Sequence, residues 1–155
     1  MEKIVGILHL LLFLFCTIYP YLFKRNWFDL YYLFFVFGCG LSWTMFNGEC
    51  LISLLLKKWM NPHYKMGEEI SSHDMYEALG KEYKTYVYYF LAMLTIIQGY
   101  GIYLVLNRNQ LNGFYVLITL LYLIGTKLTN SILFKGIFFF LFSYILYNIL
   151  YKLWR

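Results

Sequence analysis

The chain is poor in charge, in alanine and in proline. Only 14% of its 155 residues are charged, against about 25% in an ordinary soluble domain. Alanine stands only at Ala78 and Ala92, and there are 2 prolines. The shortage of charge excludes a water-solvated globule. With 61% hydrophobic and 23% aromatic residues, such a domain would expose large apolar patches and aggregate. The shortage of alanine argues against helices packed mainly through that small residue. Cysteine is scarce too: Cys16, Cys39 and Cys50 form neither a Cys-x-x-Cys pair nor a zinc spacing, and they read as apolar thiols rather than redox groups. There is no Asn-x-Ser/Thr sequon, no His-Glu-x-x-His, no Gly-rich phosphate loop and no nucleophile elbow, so no enzyme class and no cofactor is indicated.

What the chain has instead is long runs of Leu, Ile, Phe and Tyr separated by short polar clusters. That pattern predicts an all-α, polytopic bundle of transmembrane helices forming a single domain over residues 1–155. The net charge of +5 sits in short clusters between the runs, such as Lys24-Arg25, Lys57-Lys58 and Lys152 with Arg155. This is the placement of topology signals and headgroup contacts, not of a nucleic-acid surface. The expected partner is therefore the lipid bilayer, with other membrane proteins or self-association in addition, and no nucleic acid.

The first run, residues 4–23, follows Lys3 as the start of a signal peptide would. No small-x-small site follows it, since the chain reads Cys16-Thr17-Ile18-Tyr19-Pro20, and a retained first span is expected. The second run, 27–56, is too long for one crossing, and Asn47-Gly48-Glu49 offers a break. Counting helical rise from Asp29 puts Glu49 near the opposite interface, with the remainder along or beyond the surface. Residues 57–84 form the one long polar segment. Within it Ser71 to Asp74 resembles a capping box, followed by an amphipathic helix running into a third span at 85–106. Residues 107–113 read as a polar loop. Two shorter runs, 112–127 and 134–151, complete five spans (29–49 being the second); the alternative is four, with one bent span and a surface helix. Lysine and arginine are more numerous on the side holding the N-terminus, which favours a cytoplasmic N-terminus. Trp27, Trp43, Trp59 and Trp154 fit interfacial belts.

The candidate polar site comprises Trp43, Asn47, Glu49, Cys50, His63, Tyr64, His73 and Asp74. A carboxylate in hydrocarbon costs several kcal/mol and usually serves an ion or proton path, so Glu49 with Asn47 and Trp43 could face a bundle interior. The competing reading is an interfacial Glu49 solvated by water or headgroups. Glu49, His63, Glu68, Glu69, His73 and Asp74 could likewise hold a metal, against the plainer reading of a solvated loop with a helix cap. His9, on an apolar helix, reads as a packed histidine.

The order Gly48-Glu49-Cys50, Lys57-Lys58, Pro62-His63-Tyr64-Lys65-Met66-Gly67 resembles small membrane proteins of large DNA viruses. It is similar, more distantly, to small bacterial membrane proteins in which a cysteine ends a helix before a short polar loop. Those usually carry Pro after the cysteine, where Leu51 stands here. The resemblance implies a multi-pass membrane protein and no particular activity. Three functions follow from the sequence: a non-enzymatic structural or interaction role in a membrane, a channel or transporter subunit using Asn47 and Glu49, or a membrane-embedded metal-dependent enzyme.

Overall fold

A computed structural model describes residues 2–68, 75, 79–80, 83–128 and 131–155, without the side chains of Glu2, Lys127 and Leu128. The expected capping box at Ser71–Asp74, and with it His73 and Asp74, lies outside the described residues. So does most of the expected amphipathic helix. Among the described residues there are six helices and no strand: α1 (Glu2–Leu22), α2 (Asp29–Met45), α3 (Leu51–Met60), α4 (Lys84–Arg108), α5 (Tyr115–Leu128) and α6 (Ile132–Leu153).

Helix lengths follow the apolar runs, and their ends follow local chemistry. Pro20 sits in the last turn of α1. Having no N–H, it leaves the Cys16 carbonyl without its helical partner, and the Tyr32 hydroxyl of α2 donates to that oxygen at 2.8 Å. Helix α2 stops at the expected break. Asn47 (φ 55°) and Gly48 (φ 90°) take left-handed backbone, and Gly48 N donates to Trp43 O at 2.8 Å. This six-to-one closure satisfies carbonyls that the helix end leaves open. Helix α4 ends the same way, with Gln110 at φ 54° and Leu111 N donating to Leu106 O at 2.9 Å. Ser131 caps α6, accepting from Phe134 N at 3.1 Å.

The second span is thus shorter than the expected 29–49, because the chain turns back at Phe46. The loop expected at 107–113 begins later, because Asn107 and Arg108 are still helical. Helix α3 occupies the start of the segment expected to be polar loop from residue 57.

Among the described residues three helices are long and apolar enough to cross a membrane: Lys3–Leu22, Lys84–Arg108 and Ile132–Leu153. That is fewer than five. At 17 and 14 residues, α2 and α5 rise about 25 and 21 Å, short of a hydrocarbon core of roughly 30 Å.

The core lies where α1, α2, α4, α5 and α6 meet, around Leu33, Phe37, Val105, Phe142, Ile145 and Ile149, all fully buried. α2 and α6 share the most extensive contact: a Cβ on Gly40 would stand 2.6 Å from the Phe142 ring. On the other side Gly101 lets α4 approach Pro20 of α1, where a Cβ would meet the proline ring at 2.8 Å. Tyr122 of α5 packs against Phe138 and Phe142 of α6, with ring centroids 5.4 and 5.7 Å apart. Glycine at chosen contacts, rather than alanine throughout, gives the close approaches.

Candidate functional site

Two buried polar clusters hold the ends of the bundle. The first joins the C-terminal ends of α1, α4 and α6 to the N-terminal end of α2. Asp29 is fully buried. Arg108 grips both its oxygens, Nε donating to Oδ2 at 2.8 Å and Nη2 to Oδ1. Asn109 Nδ2 adds a bond to Oδ2 at 2.9 Å, and the Tyr19 hydroxyl one to Oδ1 at 2.9 Å. Arg108 Nη1 reaches back to the Pro20 carbonyl at 3.2 Å, and Lys152 of α6 donates to the Asn109 carbonyl. A buried ion pair repays its desolvation only when the remaining lone pairs are also satisfied, and here they are. Sequence reasoning missed this cluster because Arg108 and Asn109 read as a solvated loop.

The second cluster is the candidate site, at the opposite end. Glu49 follows the turn after α2 and is fully buried, so its side chain is not solvated at an interface as the helical count suggested. The count assumed unbroken helix to Glu49, whereas the chain has already reversed. Glu49 Oε1 accepts from the Tyr64 hydroxyl and from Gly67 N at 2.9 Å. Oε2 is buried with no hydrogen-bond partner among the described residues. Lys57 of α3 is buried beside them, its ammonium 5.5 Å from the Tyr64 ring centroid. Ser42 stitches α2 to α3: its Oγ accepts from Leu51 N at 2.9 Å and lies 3.4 Å from the Glu49 carbonyl. Lys135 of α6 donates to Asn47 Oδ1 at 2.7 Å. Gly67, at φ 85°, packs so close that a Cβ would stand 2.8 Å from Asn47 Cβ.

Of the sequence candidates, Glu49, Tyr64 and Asn47 are thus brought together. Trp43 is half-buried against the core, not in an open belt, and its Nε1 has no hydrogen-bond partner among the described residues. Trp27, Trp59 and Trp154 are exposed. Cys50 pairs with His9 of α1, a partnership that no spacing along the chain reports. Burial pushes the Cys50 thiol up, but its hydrogen bonds with the His9 imidazole and the backbone N–H groups of Ile52 and Ser53 outweigh that and hold it below the ordinary cysteine range. His63 is exposed at the loop surface. Among the described residues no three His, Cys, Asp or Glu side chains converge as metal ligands.

Among the described residues the architecture is all-helical, with three helices of membrane length and buried polar clusters at both ends. No family model, curated protein or solved structure matches the chain.

Proposed function

We propose that the chain is a five-pass integral membrane protein with a structural or interaction role rather than a catalytic one. One observation carries this reading: burial is inverted. Asp29, Glu49, Ser53, Lys57 and Asn109 are buried, while leucines, isoleucines and aromatics cover the outside. Helix α3 shows it within ten residues. Its Ser53 and Lys57 are buried beside Leu54, and Leu51, Ile52, Leu55 and Trp59 face outward with Lys58. Only 33%, 33% and 28% of the three long spans are buried within the chain. Acyl chains solvate such a surface, and other membrane helices can cover part of it.

The pairing of the helix ends supports five passes. Arg108 meets Asp29 and Pro20 at one end, and Lys135 meets Asn47 at the other, so α1, α2, α4, α5 and α6 alternate in direction. In this reading α2 and α5 cross with the help of flanking residues and local thinning of the bilayer. The resemblance to small viral membrane proteins agrees with it. Cross-linking in native membranes tests the interaction role. A discrete cross-linked species is expected, and a chain that remains free of protein adducts at saturating reagent contradicts it.

A second reading is favoured by the orphan Glu49 oxygen. A buried acceptor without a donor is the group a permeating cation would use, which makes the chain a channel or transporter subunit. Flux through reconstituted vesicles decides: loss with Glu49→Gln supports it, and flux that is absent or indifferent to the substitution removes it.

A further inference from the structure

We propose that the cleft between α4 and α5 seats one acyl chain of a membrane lipid, with the lipid's polar end at Asn107 and Asn112. This rests on the membrane reading and specifies where a lipid is held. The cleft encloses about 580 Å³ and is lined by Ile96, Gly99, Tyr103, Val116, Leu117 and Leu120. Two glycines shape it. Gly99 leaves space beneath Val116 and Leu120, whose side chains lie 3.8 and 4.0 Å from where its Cβ would be, and Gly113 lies against the Tyr103 ring, 2.8 Å from where its Cβ would be.

The occupant follows from polarity and length. Asn107 and Asn112, both exposed, line one end of the cleft. The rest is walled by aliphatic side chains and the Tyr100 and Tyr103 rings, and it opens outward past Ile96, Tyr100, Phe114 and Leu117. From Asn107 to Ile96 is eleven helical steps, about 16 Å, which is about half of a hydrocarbon core of roughly 30 Å. The cleft therefore reaches through one leaflet and ends midway along α4. A packed helix or a second copy would need a seam along the whole span. A single acyl chain, polar at one end only, needs what is there.

The test is photo-labelling in phosphatidylcholine vesicles doped with a lipid carrying a diazirine on its acyl chain, with adducts mapped by peptide mass spectrometry. Adducts are expected to concentrate within residues 96–120. Leu117→Trp fills the cleft from an exposed wall, and it should cut labelling there by roughly fivefold or more, the scale of an overpacking penalty. Labelling around the exposed Phe140 on α6 should stay unchanged. Leu117→Phe, a milder change, should act in the same direction if the tryptophan variant folds poorly. Adducts spread evenly over all apolar faces, or labelling indifferent to both variants, would overturn the lipid seat while leaving the membrane reading intact. Failure to label any helix would overturn the membrane reading itself.

Discussion

Arg108 closes on both carboxylate oxygens of Asp29 across 79 residues of chain. The bond fixes the end of α4 against the fully buried Asp29 at the start of α2, so it orders two helices that are distant in sequence. Removing the guanidinium strands a buried carboxylate, which costs about 3–5 kcal/mol. Arg108→Ala should therefore lower the thermal midpoint in detergent sharply. Asp29→Asn in that background should recover part of the loss, because the stranded charge is gone. Additive losses from the two substitutions would show that the pair is not coupled.

Gly40 and Gly38 lie one on each side of Cys39 yet should respond oppositely to alanine. A methyl at Gly40 meets the Phe142 ring at 2.6 Å, and one at Gly38 meets nothing within 4 Å. Gly40→Ala should destabilise by about 1–3 kcal/mol. Gly38→Ala should be neutral or stabilise by up to about 1 kcal/mol through helix propensity. Thermal unfolding of the two variants side by side checks this, and equal effects would contradict the α2–α6 contact.

The loop at 61–67 is tied down by Glu49 through Tyr64 and Gly67. Hydrogen bonds to a charged group contribute about 1.5–3 kcal/mol each. Glu49→Ala should therefore accelerate tryptic cleavage after the exposed Lys65 by roughly tenfold or more. Glu49→Gln, which keeps an acceptor oxygen, should fall between. A cleavage rate unchanged in both variants would place the restraint elsewhere.

Cys50 should react as thiolate at lower pH than an ordinary cysteine, because its lowered pKa puts the anionic form further down the pH scale. Alkylation rate against pH reads this out. His9→Leu removes the hydrogen-bonding imidazole and should shift the midpoint upward. A midpoint that does not move would separate His9 from the thiol.

The hydropathy runs made the helices legible, and Asn47-Gly48 marked the end of α2 because only left-handed backbone lets a chain reverse so tightly there. Glu49 could be named as a candidate because a carboxylate stands out beside an apolar run, and Tyr64 because it sits in the Pro62-His63-Tyr64-Lys65-Met66-Gly67 order. Their pairing could not. The bonds that bury Glu49 come from residues 64 and 67, beyond α3, and no periodicity reports a contact across a helix. The same limit hid Arg108 and Asn109, whose polar neighbours make them look solvated. His9 lies within α1 and Cys50 at the N-cap of α3, and no local pattern links them. Span number was the other difficulty: composition sees apolar length, whereas turn geometry and the Asn107–Arg108 extension set where helices stop.

The claim on which the rest depends is that the apolar outer faces lie in a bilayer, with the Asp29 and Glu49 ends on opposite sides. Lys24 and Lys58 are both exposed, one at each end. A membrane-impermeant, amine-reactive ester applied to sealed vesicles of uniform orientation, followed by peptide mass spectrometry, compares them directly. One lysine is expected to be modified in intact vesicles and the other only after permeabilisation. Modification of both in intact vesicles would contradict the five-pass membrane arrangement.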